Sequence, residues 1–270
     1  MKFDSKTRLY GILGDPIGHT LSPVMHNAAF SAVNYPGVYL AFEVKDLARA
    51  LTGAKALDLK GLSVTIPYKV KALDLVDKLD DTARKIGALN TIINRNGNLY
   101  GFNSDSPGAM AALAEKTAIK GKNVAIIGAG GAARALAYGV KSQGGSLSIY
   151  NRSLPKARQL ASELDVSFFP LLEFGNKQCD ILINTTSVGM TPNYDNMPVA
   201  PQTLNKNMVV MDIVYNPLKT ALLKQADKIG CVIIDGVSMF VYQGAIQFEM
   251  WTGIKAPVDI MRESVLNALK

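Results

Sequence analysis

The run Gly128-Ala129-Gly130-Gly131-Ala132-Ala133 follows directly on an apolar segment, Asn123–Ile127, and opens a helical pattern. A G-x-G-x-x-A spacing in that setting is suited to holding a pyrophosphate. The first glycine lets the chain turn tightly, the second lets backbone approach the phosphates, and the small last residue lets helix pack on strand. The helix N-terminus adds N–H groups and positive potential. A bare turn without a ligand is the weaker reading of the motif once strand and helix flank it. The next strand, Ser146–Tyr150, discriminates between dinucleotides. NAD sites place an acid about twenty residues beyond the glycines, where it holds the ribose 2′-hydroxyl. Here the strand runs into Asn151-Arg152-Ser153, with Lys156 one turn further and no carboxylate before Glu163. An acid would repel a 2′-phosphate, whereas a guanidinium pairs with it through charge-assisted hydrogen bonds. The turn therefore points to NADP.

These residues need elements to carry them. The first hundred residues alternate β-rich runs (Leu9–Leu13, Val38–Phe42, Gly61–Ile66, Asn90–Asn94, Leu99–Phe102) with helical patterns at Ser22–Val33, Asp46–Ala54 and, after Pro67, Tyr68–Leu79. That rhythm predicts a mainly parallel α/β sheet. A second unit starts near Ser106-Pro107-Gly108 with the helical run Ala109–Lys116. Its strands are expected at Asn123–Ile127, Ser146–Tyr150, Ile181–Asn184, Val209–Ile213 and Val232–Ile234. This is the rhythm of a doubly wound, Rossmann-type sheet. From Ser238 the chain reads as helices that return to the first domain. The expected organisation is thus a domain over 1–105 completed by helices in 238–270, a nucleotide domain over 106–237, and an active-site cleft between them.

The chain has 270 residues, 48% hydrophobic and 19% charged, enough apolar surface for two cores and unlike a disordered segment. Its net charge of +7 is spread along the sequence with no Lys/Arg run longer than two, and no aromatic-and-basic stretch of RNA-binding type occurs. A nucleic-acid partner is therefore not expected, while a mild basic excess suits small anionic ligands. Cys179 and Cys231 lie far apart without CxxC spacing and read as buried small hydrophobes in a reducing compartment. The N-terminus lacks an apolar signal core, and no apolar run approaches the ~18 residues of a spanning helix. These features predict a cytoplasmic protein with no membrane partner. The only histidines are His19 and His26, and no G-x-S-x-G occurs, so a Ser-His-Asp hydrolase is not expected. The sequence also offers no convincing metal-ligand cluster.

Around the glycines lie motifs that, in their order, resemble the shikimate dehydrogenase family across essentially the whole chain. They are Gly14-Asp15-Pro16-Ile17-Gly18-His19-Thr20-Leu21-Ser22-Pro23 followed by His26-Asn27, then Ser63-Val64-Thr65-Ile66-Pro67-Tyr68-Lys69. Gly87-Ala88-Leu89-Asn90-Thr91 and Asn103-Ser104-Asp105 come next. The nucleotide half adds Gly128–Ala133, Asn151-Arg152-Ser153, Asn184-Thr185-Thr186-Ser187-Val188-Gly189-Met190, Asp212-Ile213-Val214-Tyr215-Asn216-Pro217, and Asp235-Gly236 leading to Gln243-Gly244. The resemblance implies reversible reduction of 3-dehydroshikimate to shikimate by NADPH, with Lys69 and Asp105 as the catalytic pair. It implies that Thr20 and Ser22 hold the substrate carboxylate, with Tyr215 near it, and that Thr65, Lys69, Asn90, Asp105 and Gln243 meet the ring. It assigns the cofactor to Gly128, Ala129, Gly130, Gly131, Ala132, Asn151, Arg152, Ser153, Lys156, Thr186, Gly236 and Met239. The chemistry agrees with the catalytic assignment. A hydride arriving at a carbonyl carbon leaves negative charge on oxygen, and a Lys ammonium both stabilises that charge and supplies a proton.

The chain departs from the family pattern at Thr20 (usually Ser), Ser63 (commonly Asn), and Ser104 and Ser106 (usually Thr and Gly). These changes bear on which polyol acid the site prefers and leave the Lys–Asp pair intact. They motivate a rival reading, a paralogue acting on quinate or using NAD(P) less selectively. A non-catalytic NADP-binding sensor is a third, and the retained pair counts against it. A monomer or a homodimer is compatible with the sequence.

Overall fold

In the computed structural model, residues 4–175 and 178–270 are described. The chain divides into two compact units, one running to Asp105 and resuming at Val241–Ala268, the other Ser106–Phe240.

The first unit carries β1 (Arg8–Gly14), α1 (Ser22–Ala32), β2 (Gly37–Glu43), α2 (Leu47–Ala56), β3 (Gly61–Val64), β4 (Lys78–Leu79), α3 (Asp81–Ile86), β5 (Thr91–Arg95) and β6 (Asn98–Phe102). They form a sheet of order β2-β1-β3-β5-β6-β4. Strands β2, β1 and β3 run parallel, as does β4 beside β6, while β5 is antiparallel to both its neighbours. The reversal is local in origin. Asn96 and Gly97 adopt φ of 53° and 82°, the backbone of a tight two-residue hairpin that Asn-Gly favours. One face of the sheet buries Leu13, Leu62, Val64, Leu89, Ile92 and Leu99 against Leu47 and Leu51 of α2. On the other face an aromatic layer forms, with Tyr10 and Phe30 rings 5.0 Å apart and Phe30 and Phe248 5.4 Å apart. At the sheet edge the Asn27 carboxamide of α1 reaches over β2, donating to Tyr39 O at 2.9 Å and accepting from Tyr39 N at 2.8 Å.

The helix expected over Tyr68–Leu79 is not what forms. A 3₁₀ segment covers Lys71–Leu75, and the chain then extends into β4. Pairing with β6 wins over the last helical turns. Asp77 N and Asp80 N donate to Leu99 O and Gly101 O, each at 2.9 Å, and the Asp77 carboxylate accepts from Leu99 N at 2.7 Å. Asp80 then caps α3 by accepting from Thr82 N and Ala83 N, and Gly87 at φ 69° ends that helix.

The second unit holds α4 (Asp105–Ala114), β7 (Asn123–Ile127), α5 (Gly131–Ser142), β8 (Ser146–Asn151), α6 (Leu154–Leu164), β9 (Ser167–Pro170), β10 (Ile181–Asn184), β11 (Val209–Asp212), α7 (Ala221–Ile229) and β12 (Val232–Ile234). All its strand pairs are parallel, in the order β12-β11-β10-β7-β8-β9. That order reverses direction between β7 and β10, the switch point of a doubly wound sheet. Strand β9 was not expected from the sequence. Helix α8 (Gly236–Thr252), which begins two residues before Ser238, and α9 (Val258–Ala268) complete the chain.

Candidate active site

Lys69 stands in the turn after β3. Tyr68 N donates to Thr65 O at 2.8 Å to close the turn, and Lys69 O accepts from Leu89 N at 2.8 Å, tying it to the segment that leads into β5. Asp105 opens α4. The Lys69 ammonium donates to Asp105 Oδ2 at 2.6 Å, with the two side chains 15% and 5% exposed. So deep a carboxylate would be costly if unpaired. Asn90 supports it from the other side, its Nδ2 donating to Asp105 Oδ1 at 2.8 Å and to Ser104 Oγ at 2.9 Å. Asn90 Oδ1 in turn accepts from Ser104 N at 2.7 Å. Gln243 Oε1, from α8, accepts from Asn90 Nδ2 at 3.3 Å. Lys69, Asp105, Asn90 and Gln243 are thus one hydrogen-bonded cluster.

Thr20 and Ser22 form a second, smaller group. Thr20 Oγ1 donates to Ser22 Oγ at 3.1 Å and accepts from Ser22 N at 3.3 Å, so the two hydroxyls lie side by side before α1. The methyl of Thr65 packs over Gly14, where an added Cβ would fall 2.4 Å from Thr65 Cγ2. Ser63 is buried, its hydroxyl held between Tyr39 OH at 2.6 Å and Gln247 Oε1 at 2.8 Å. Tyr215 lies in the other unit with its ring stacked on Phe240 at 4.5 Å. His26 is fully buried and stacked on Tyr39 at 4.5 Å. Burial pushes its pKa down to about 3, and the nearby Gln247 amide opposes the shift. It is a packing residue. His19 is exposed.

In the second unit Gly128 has φ 118°, and a Cβ there would lie 2.5 Å from Thr185 Oγ1. Only glycine fits this turn. At Gly130 a Cβ would meet nothing within 4 Å, which leaves open space against the backbone. No side chain caps the N-terminus of α5, so its first N–H groups stay available to an anion. Ala133, fully buried, is the small residue at the helix–strand contact. Beyond β8, Asn151 Nδ2 donates to Ser153 O at 2.9 Å and shapes the turn. Arg152 and Lys156 are exposed and form no ion pair among the described residues. Thr186 donates to Asn184 Oδ1 at 2.7 Å. Gly236 is pressed so closely on the loop after β11 that a Cβ would lie 2.5 Å from Val214 O, and Met239 is buried one turn on. These features fit a bound dinucleotide, and the absence of any acid on the turn after β8 fits a 2′-phosphate.

One residue stood in the sequence motifs without a role. Asp212 ends β11 fully buried with no cation paired to it among the described residues, accepting from Asn184 Nδ2 at 2.9 Å, Val214 N at 3.0 Å and Thr220 Oγ1 at 2.7 Å. Burial raises its pKa to about 6 against the pull of those donors. It ties the loops after β10 and β11 to the start of α7. The signal was available: an acid closing the apolar run Val209-Val210-Met211. Among the described residues no group of three or more His, Cys, Asp or Glu could hold a metal ion, and no helix is long and apolar enough to cross a membrane.

A doubly wound nucleotide-type sheet, together with a separate α/β unit that buries an ammonium–carboxylate pair, defines a two-domain dehydrogenase scaffold. Family models agree in detail: residues 12–92 match the shikimate dehydrogenase substrate binding domain, 111–227 shikimate / quinate 5-dehydrogenase, and 236–266 the shikimate 5′-dehydrogenase C-terminal domain. A shikimate dehydrogenase (NADP(+)) of Geobacillus sp. (strain WCH70) is 45% identical over 97% of this chain and 99% of the relative. A shikimate dehydrogenase crystallised in complex with NADP+ superposes with a TM-score of 0.95 at 40% identity, over 100% of this chain and 98% of that one. The shikimate 5-dehydrogenase of Thermus thermophilus, in complex with NADP(H) and shikimate, gives a TM-score of 0.91 at 32% identity, over 97% and 100%. The chain belongs to the shikimate dehydrogenase family.

Proposed function

We propose that the chain catalyses the reversible, NADP-dependent interconversion of 3-dehydroshikimate and shikimate. The observation that carries this is the buried Lys69–Asp105 pair at 2.6 Å with Asn90 bonded to the same carboxylate. The unit ending at Asp105, with Val241–Ala268, takes the substrate, and Ser106–Phe240 takes the nucleotide.

In the reductive direction, NADPH, when bound, would supply a hydride to the carbonyl carbon. The chain's own residues handle the charge and the proton. As negative charge builds on the oxygen, the Lys69 ammonium stabilises it and gives up a proton from Nζ, completing the secondary alcohol. Asp105 keeps the ammonium aimed, and Asn90 and Gln243 meet the ring hydroxyls along with Thr65. The paired hydroxyls of Thr20 and Ser22 hold the carboxylate, with Tyr215 assisting. Gly128, Ala129, Gly130, Gly131 and Ala132 cradle the pyrophosphate on the bare end of α5. Asn151, Arg152, Ser153 and Lys156 would take the 2′-phosphate, and Thr186, Gly236 and Met239 would complete the nucleotide site. A binding-only sensor has no use for the proton-donating pair. Because Ser63 is occupied by Tyr39 and Gln247, it offers no extra room for quinate. The free thiols Cys179 and Cys231 are consistent with a cytosolic setting.

The test is a substrate panel: shikimate and quinate, each with NADP and NAD, compared by kcat/KM from nucleotide absorbance. Shikimate with NADP should be the best pair; any other best pair refutes the assignment.

A further inference from the structure

Helix α8 turns Gln243, Gln247 and Trp251 to the same side, four residues apart, and all three engage the start of β5. Gln243 accepts from Asn90 Nδ2; Gln247 Nε2 donates to Asn90 O at 3.1 Å and Thr91 Oγ1 at 3.0 Å; Trp251 Nε1 donates to Ile92 O at 3.0 Å. Gly61 makes room for the indole, since a Cβ there would fall 2.3 Å from Trp251 Nε1. Two of these contacts are to backbone and only hold the helix on the sheet. Gln247 does more, because its amide has a defined polarity.

Tyr39 OH donates to Ser63 Oγ, and Ser63 Oγ donates to Gln247 Oε1. With its oxygen accepting on that side, Gln247 presents its NH₂ to Thr91 and Asn90. The Thr91 hydroxyl, which accepts from Gln247, donates its one hydrogen to Asn90 Oδ1 at 2.9 Å, with Ser104 Oγ 3.1 Å away. Asn90 Oδ1 thus accepts from Thr91 as well as from Ser104 N, and with both donors on the oxygen its NH₂ faces the carboxylate of Asp105. The donor direction runs unbroken from Tyr39 to Asp105 through side chains that are all buried. Ser63 belongs to the chain because its hydroxyl both accepts and donates.

We propose that Gln247 is a positioning residue for the Lys69–Asp105 pair, and that the chain Tyr39–Ser63–Gln247–Thr91–Asn90 sets the orientation of the Asn90 carboxamide and, through it, of the Asp105 carboxylate. This rests on the functional reading above, in which Asp105 and Lys69 face the substrate. Reversing the Asn90 amide would turn its oxygen toward a carboxylate, so the polarity of a distant amide matters to the reacting groups.

The experiment uses the full chain with Gln247→Glu, which keeps size and removes the donor, and Gln247→Met, which removes polarity altogether. Both should lower kcat/KM for shikimate by about 10–100-fold, the span of two lost hydrogen bonds, while KM for NADP stays within about twofold. Tyr39→Phe deletes a single hydroxyl from the far end, and should cost about 3–10-fold on the same parameter. It keeps the test open if the Gln247 variants do not fold. In a Gln247→Met background, adding Tyr39→Phe should cost nothing further, because the chain is already cut. Near-normal shikimate kcat/KM in a folded Gln247 variant overturns the positioning role, as does a matching rise in the NADP KM. So does an undiminished Tyr39→Phe, or a further Tyr39→Phe loss in the Gln247→Met background. A wild-type chain that neither binds nor oxidises shikimate overturns instead the functional reading itself.

Discussion

Replacing Lys69 with Ala removes both the cation that faces the developing oxyanion and the partner of a carboxylate side chain only 5% exposed. A single general acid typically contributes 10²–10⁴ in rate, about 3–5 kcal/mol of barrier. Stability should fall as well. Stripping one partner from a fully buried pair costs about 3–5 kcal/mol. Here Asn90 Nδ2 still donates to Asp105, and Lys69 keeps 15% of its side chain exposed, so roughly 1–3 kcal/mol is expected. Asp105→Asn keeps the shape and releases the ammonium instead. If the two side chains act as one device, the double variant should be no slower than the worse single, because the second substitution removes nothing that still works. The assay is initial-rate shikimate oxidation with NADP, alongside nucleotide affinity by fluorescence titration. Affinity should not change. Near-normal turnover in Lys69→Ala, or losses in the double variant that simply multiply, would refute the reasoning.

Arg152→Ala should cost the preference for NADP over NAD about 1.5–3 kcal/mol, the scale of one charge-assisted hydrogen bond, with NAD kinetics unchanged; equal wild-type efficiency with both nucleotides would contradict it. Thr20→Ser should improve quinate relative to shikimate by roughly tenfold, because the Thr20 methyl crowds a tetrahedral carboxylate-bearing carbon; an unchanged ratio of kcat/KM would place Thr20 elsewhere. Two buried groups should tilt stability with pH in opposite senses. The Asp212 carboxyl is raised from 3.8 to about 6, so the folded state holds its proton more tightly than the unfolded one. Its contribution is complete below about pH 4 and is lost as pH rises through about 6, worth about 3 kcal/mol. The His26 ring is lowered from 6.5 to about 3, so its contribution is complete above pH 6.5 and is lost on acidification toward pH 3. Asp212→Asn should steepen the rise of Tm between pH 4 and 6 and His26→Phe should flatten it; parallel curves for wild type and variant would refute either assignment.

Most of the nucleotide unit was legible because its determinants are local. An apolar strand, glycines and a helix in immediate succession allow few arrangements, and the Asn151-Arg152-Ser153 turn follows at a fixed distance. Strand β9 escaped because Ser167-Phe168-Phe169-Pro170 is too short for its period to show. Over Tyr68–Leu79 the apolar spacing suits a helix, and only the Asp77–Leu99 and Asp80–Gly101 hydrogen bonds, made more than twenty residues away in sequence, draw the chain into a strand. At the candidate site, residue types came from motif order, but who bonds to whom did not. Gln247 lies outside the motifs, and its spacing of four from Gln243 becomes meaningful only once β5 is known to lie beneath α8. Asp212 was visible as a letter in an apolar strand, yet its burial among neutral donors is a property of the folded loops around it.

The Asn27 clasp on β2 bears on how this protein behaves at high concentration. An open sheet edge offers a row of unpaired N–H and C=O groups, and any extended segment of another molecule can add to it. Here the outward N–H and C=O of Tyr39 are already saturated by a single carboxamide, midway along the strand. An incoming strand would have to displace that amide and leave it unsolvated before gaining its own ladder. The one side chain therefore protects the middle of the edge against runaway edge-to-edge association and aggregation, between Pro36 just before the strand and Glu43 at its end.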